Sequence, residues 1–147
     1  MMRRHRLADD TGSTMPLAIF FGFLSLVLVL LVVSATSLYL ERKRLFTLAD
    51  GAALVGAEAF ALDDVQLTGS GLRPTLTTPD VAAAVESYIA STPATDFDEL
   101  TVERSESIDG RSATVTLSSW WRPPMISLLV PRGLRIEVTA VGRSVFF

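Results

Sequence analysis

From Pro16 to Tyr39 the chain runs for 24 residues without an ionisable charge. As a helix rising 1.5 Å per residue, such a stretch reaches roughly 36 Å, against about 30 Å of bilayer hydrocarbon. Its polar members are Ser25, Ser34, Thr36 and Ser37, whose hydroxyls can bond back to helix carbonyls. Tyr39 stands at one end, where aromatic rings favour the membrane interface. A transmembrane helix over residues 16–40 is therefore expected. The competing reading is a cleaved secretory signal, for which Val33-Ser34-Ala35 offers a small-residue site. Signal peptides have apolar regions of about 7–15 residues. Here Leu38-Tyr39-Leu40 carries the run onward, so the helix is expected to remain in the mature chain.

The apolar run also explains a composition that is 49% hydrophobic yet 20% charged over 147 residues. About a hundred residues of ordinary soluble composition remain beyond it, enough for one small core. Residues 1–44 hold six basic and three acidic side chains, and residues 45–147 hold seven basic and thirteen acidic ones. Arg3, Arg4 and Arg6 precede the span, and Arg42, Lys43 and Arg44 follow it, so positive charge alone leaves orientation tied. Because a long domain translocates largely regardless of its charge, the short Arg-rich tail decides. Residues 1–15 are expected in the cytoplasm, and residues 41–147 outside. With no basic stripe after residue 44, nucleic acid is excluded as a partner. Zero cysteines exclude a disulfide framework, a thiolate zinc site and a cysteine nucleophile.

Beyond the span, residues 41–62 are rich in Ala and Leu and contain no Pro. The membrane helix is expected to continue to about Leu62, as one rod of roughly 70 Å. Leu45, Ala49, Ala52, Ala53, Gly56 and Phe60 fall on one stripe of it, opposite Thr47, Asp50 and Glu58. Small side chains let another backbone approach closely, so the stripe reads as a packing surface. Its occupant is either the protein's own sheet or the helix of a neighbouring subunit.

Asp63 to Thr78, with Gly69-Ser70-Gly71 and Pro74, reads as a loop. A helix is expected to start at Thr78-Pro79-Asp80, with Thr78 as cap, and to run through Val81, Val85, Tyr88 and Ile89 before Pro93. Residues 100–108 and 111–119 flank Asp109-Gly110, a favoured two-residue hairpin turn, which sets Val102 opposite Leu117 and Arg104 opposite Val115. Residues 134–140 alternate apolar and polar as a third strand. Trp120 to Pro131, with three prolines, is expected to be an apolar connection. The expected fold class is α+β: a long N-terminal helix packed on a small antiparallel sheet of about three strands.

Gly12-Ser13, the apolar span, the charged Glu41-Arg42-Lys43-Arg44 segment and Ala49-Asp50-Gly51-Ala52-Ala53-Leu54-Val55-Gly56-Ala57 together resemble the TadE/TadG-like proteins of tight-adherence (Flp) pilus assembly. That family typically shows a small-residue stretch after its membrane helix. The resemblance covers about residues 10–60 well and the remainder in outline. It implies a pilin-like fold, a place in pilus assembly or secretion machinery, and other pilin-like subunits or assembly proteins as partners. It also implies a processing site between Gly12 and Ser13. Pilin-type precursors carry Glu at the fifth position after the cleaved Gly, where this chain has Leu17, so the uncleaved form is expected. Larger TadG proteins append a metal-binding domain that 147 residues cannot contain, so no metal function carries over.

The remaining residues offer no catalytic constellation. His5 is the only histidine and lies between Arg4 and Arg6, which suits a solvated membrane-flanking residue rather than a base or ligand. Asp63-Asp64 and Asp96, Asp98 and Glu99 lack the ligand spacing of a calcium loop and read as turn charges. Gly69-Ser70-Gly71 lacks a phosphate-loop pattern. Trp120-Trp121 reads as packing under Pro123-Pro124, with an exposed or membrane-interface patch as the alternative. No enzyme activity, cofactor or small-molecule substrate is expected. A single-pass membrane protein in contact with the lipid bilayer is, either a minor pilin-like component or a generic membrane-anchored interaction domain of the envelope.

Overall fold

The structure is a computed structural model that describes residues 14–60, 65–68, 71–92, 97–122 and 132–143, with the backbone alone at 65–68 and 71–74. It is α+β and divides into two compact units, Met1–Val33 and Ser34–Phe147. One helix, α1 (Met15–Ala57), contributes to both.

In the first unit α1 begins with Ala18 N–H donating to the Thr14 carbonyl at 2.9 Å, and no proline interrupts it after Pro16. Phe20, Phe21, Phe23, Leu28 and Leu31 are all more than half exposed. A helix that is apolar all round and left exposed suits a hydrocarbon environment. By length and composition it can cross a membrane.

In the second unit α1 has a buried side made of Leu45, Leu48, Ala49, Ala52, Ala53, Gly56 and Ala57. The helix stops at Ala57, five residues before the expected Leu62. The Glu58 N–H is shared between the carbonyls of Leu54 and Val55, and Ala59 N–H reaches Gly56, which tightens the last turn. Phe60, just past that turn, packs against the core. No sequence breaker marks this end.

The expected loop after residue 63 contains two short strands instead. β1 (Val65–Thr68) and β2 (Gly71–Pro74) pair antiparallel, with Thr68 opposite Gly71. Val65, Leu67 and Leu72 are β-compatible residues on either side of the Gly-Ser pair, a pattern too short to outweigh the turn residues in the sequence.

Helix α2 (Thr78–Ser91) is capped by Thr77, one residue before the expected cap. The Thr77 hydroxyl accepts from Asp80 N–H at 3.4 Å and donates to the Asp80 carboxylate. That leaves the Thr78 hydroxyl to donate to the Ser107 carbonyl at 3.2 Å and accept from Ser107 N–H at 3.3 Å. Val81 and Val85 are buried, and Thr92 closes the helix by donating to the Tyr88 carbonyl.

The main sheet has the order β3-β4-β5, all antiparallel, formed by β3 (Asp98–Glu106), β4 (Ser112–Trp121) and β5 (Leu134–Arg143). Val102 lies opposite Leu117 as expected, but Arg104 lies opposite Thr116 rather than Val115. A bulge between Val102 and Arg104 inserts one residue and shifts the register. The innermost β3–β4 pair is consequently Glu106 with Thr114, so Asp109-Gly110 is the tip of a longer connection and not a two-residue turn. Asp109 Oδ1 accepts from the N–H groups of Arg111 and Ser112 and from the Ser112 hydroxyl. Gly110 has φ +65°, and its carbonyl accepts from Leu76 N–H at 2.9 Å. Contacts to Leu76 and Thr78 therefore draw the connection toward the start of α2.

The central strand also runs through Trp120 and Trp121, which corrects the expected connection: β4 ends at Trp121, and Arg122 is the first residue beyond it. Ala113, Val115 and Leu117 on one face have no exposed surface, and Ile136, Val138 and Ala140 of β5 are buried beside them. These residues, the buried side of α1 and α2's Val81 and Val85 make one core.

Candidate functional site

The small-residue stripe is where sequence and geometry meet most closely. Leu45, Ala49, Ala52 and Ala53 have no exposed surface, Gly56 is buried, and Phe60 is partly buried against the same core. A Cβ at Gly56 would lie 3.2 Å from Ala113 Cβ and 3.2 Å from Val81 Cγ1, so this glycine is clamped between β4 and α2. A Cβ at Gly51 would meet the Tyr88 hydroxyl at 2.5 Å.

The stripe's counterpart on the sheet is Gly142. A Cβ there would run into the carbonyl of Ala53, a backbone atom that cannot rotate away. Glycine at this place lets a helix backbone rest directly on the strand. The sequence signal was a lone Gly at the end of a strand pattern, which is too weak to distinguish from a strand terminus.

Trp121 is 7% exposed and faces α1, where its indole N–H donates to the Ser37 hydroxyl at 3.3 Å. Ser34 is buried, and Leu38 packs on the core. Residues 34–40, apolar enough to count as membrane span, thus lie within the second unit. Trp120 points to the other face of β4, opposite Arg135 and Asp98 in the register.

That other face is polar. Glu103 accepts from the Ser118 hydroxyl at 2.6 Å and from Arg135 Nη2 at 2.6 Å, and these bonds, Ser118 first, hold its carboxyl below the usual range. Thr116 and Thr139 bond each other at 3.0 Å. Asp98 and Glu99 face Arg122 at 3.7 and 3.6 Å, with Glu99 in the left-handed region at φ 52°. Thr116 and Ser118 are buried, and each of them has a hydrogen-bond partner, as buried polar groups require. Among the described residues no cluster of three or more His, Cys, Asp or Glu could hold a metal ion. His5, Gly12, Ser13, Asp63, Asp64, Gly69, Ser70, Asp96 and Pro123–Pro131 lie outside the described residues.

No curated protein and no solved structure matches the chain. The segment that matches a known family is the one whose geometry stands out: apolar helix, charged turn and small-residue stripe. Residues 12–59 match the family model Tad, described as "Putative Flp pilus-assembly TadE/G-like".

Proposed function

We propose that the protein is a non-enzymatic, single-pass membrane protein serving as a minor pilin-like component of Flp/Tad pilus assembly or secretion machinery. The observation that carries this reading is the family match over residues 12–59, which coincides with the apolar half of α1 and its small-residue continuation. The N-terminal tail lies in the cytoplasm and the sheet domain outside it. Helix α1 anchors the domain, whose buried side is filled by the sheet. Partners are then met by what α1 leaves exposed, including Phe46 and Leu54.

A photo-crosslinking amino acid at Phe46 in the full-length protein in cells tests this. The expected adducts are to pilin-like subunits or pilus assembly proteins. Adducts exclusively to unrelated envelope proteins would replace the proposal with a generic anchored interaction domain. Protease added to intact spheroplasts should digest the sheet domain; its protection would reverse the topology.

A further inference from the structure

The two edges of the main sheet are unlike. β3 has register irregularities between Asp98 and Thr101 and between Val102 and Arg104, a left-handed Glu99, and charged Glu103 and Glu106. Bulges and charges of this kind discourage a further strand from pairing. β5 pairs with β4 residue for residue from Leu134 to Arg143, with no bulge and no proline. The residues it turns to the core, Ile136, Val138, Ala140 and Gly142, are uncharged. Among the described residues β4 is its sole strand neighbour, so the outer row of β5 N–H and C=O groups has no ladder.

A groove of about 440 Å³ lies along that edge, between β5 and α1 within the second unit. Arg135, Ile136 and Glu137 line it consecutively, so it takes in the strand's edge and not one face alone. Its floor is apolar, made by Ala35 and Leu38 of α1 and Ile136 of β5. A free strand edge beside a helix-walled groove is the geometry that receives an extended peptide. Main-chain bonds then hold the peptide, and every second side chain enters the groove.

A second copy does not suit this edge. Trp121, opposite Leu134, bonds Ser37 of α1, and the Ala53 carbonyl lies against Gly142. Ser37 to Ala53 is about 24 Å of helix and Leu134 to Gly142 about 27 Å of strand, so α1 and β5 run the same way. Antiparallel pairing of two β5 strands would bring their apolar stretches, each joined at Ser34, in from opposite directions. One membrane does not admit both. Symmetric parallel pairing sets identical residues level, so the same backbone groups face each other where a parallel ladder needs them offset.

The lining sets the partner's chemistry. Arg42 and Arg135 are matched in number by Glu137 and by Glu103, which bonds Arg135 at 2.6 Å, so the site has no net charge. A charged side chain over Ala35, Leu38 and Ile136 would lose its hydration without gaining a partner. We propose that β5 accepts an uncharged, extended segment of a different polypeptide as a fourth strand, with apolar side chains seated in this groove. Edge and groove are independent of the pilus reading; the exclusion of self-pairing rests on membrane anchoring of α1.

The test reads amide hydrogen exchange of the full chain in neutral detergent. The probe is an uncharged peptide of about six alternating Val and Thr residues, the length of an ordinary strand. At saturation it should slow exchange over residues 134–143 roughly tenfold and leave residues 98–106 unchanged. The same peptide methylated at its backbone nitrogens keeps the side chains, loses the ladder and should have no effect. Ala35→Trp fills the groove from an exposed position. It should raise the peptide concentration required roughly tenfold and leave the melting temperature unchanged. Equal slowing at both edges, slowing by the methylated peptide, undiminished binding in Ala35→Trp, or no slowing at all would overturn the site. Slowing over residues 134–143 as protein concentration rises, with no peptide present, would give the edge to a second copy and overturn the choice of partner.

Discussion

The two halves of α1 share a secondary structure and differ in almost everything else. Over Met15–Val33 bulky Phe, Leu and Val side chains project outward all round, and none is buried. Over Ser34–Ala57 the core-facing positions carry Ser, Ala, Gly and Leu, and several have no exposed surface at all. Size, more than polarity, separates them. A lipid-facing helix gains from bulk on every side, whereas a helix resting on a sheet gains from closeness, which small residues permit.

If that contrast is right, truncations of the same residue type should have unequal consequences. Leu45→Ala removes a fully buried side chain and should destabilise the sheet domain by about 2–5 kcal/mol in denaturant unfolding of the detergent-solubilised chain. Leu28→Ala, on a side chain that is 61% exposed, should leave that transition unmoved. Equal effects would erase the distinction between the halves.

Closeness itself is tested by two glycines. Gly142→Ala places a methyl against the Ala53 carbonyl and should cost about 2–3 kcal/mol by the same measurement, whereas Gly22→Ala, with nothing near its Cβ, should cost nothing. Gly56→Leu must push into Ala113, Val81 and Val85 and should cost about 1–3 kcal/mol, lowering the melting temperature of the domain. An unchanged melting temperature, together with loss of detergent-resistant oligomers, would assign the Gly56 surface to contacts between subunits.

The junction gives a smaller effect. Ser37→Ala removes the acceptor of the Trp121 indole and should cost about 0.5–1.5 kcal/mol, although Ser37 belongs to the apolar run. No change would place residue 37 functionally with the lipid-facing half.

The smallest effect belongs to the exposed β3–β4 connection. Bonds from Arg111 N–H, then the Ser112 hydroxyl and N–H, lower Asp109 from 3.8 to about 2. A carboxyl lowered in the folded state contributes stability above its unfolded value, and this is lost as pH falls from about 4 toward 2. Asp109→Asn should remove that part of the acid dependence, seen as a flatter melting temperature between pH 4 and 2. At an exposed site, solvent screening keeps the change slight.

The strand register and the helix ends show why parts of the fold were illegible beforehand. Ala113, Val115 and Leu117 alternate strictly, and their burial was readable from period two alone. The shift at Glu103 was not, because nothing in one strand's alternation encodes an extra residue opposite its neighbour. Thr77 and Thr78 are chemically identical caps, and the bonds from Thr78 to Ser107, 29 residues away, accompany the choice of Thr77. Trp121 read as connector because Pro123 and Pro124 follow at once, yet β4 takes it in where α1 offers Ser37 as partner.

Sequence by itself determined the elements whose signal is carried within one segment. These are the apolar helix, the small-residue stripe on its continuation, the strand alternation and the α+β class. Tertiary structure alone decided the end of α1, the bulge, the β1–β2 ribbon, and the division of the apolar run at Ser34. Hydropathy cannot make that last division, because a side chain leaving water for lipid and one leaving it for a protein core gain by the same physics. Which of the two receives it depends on what the rest of the chain brings alongside. Here that is Trp121, whose indole N–H reaches Ser37, and the core against which Leu38 packs.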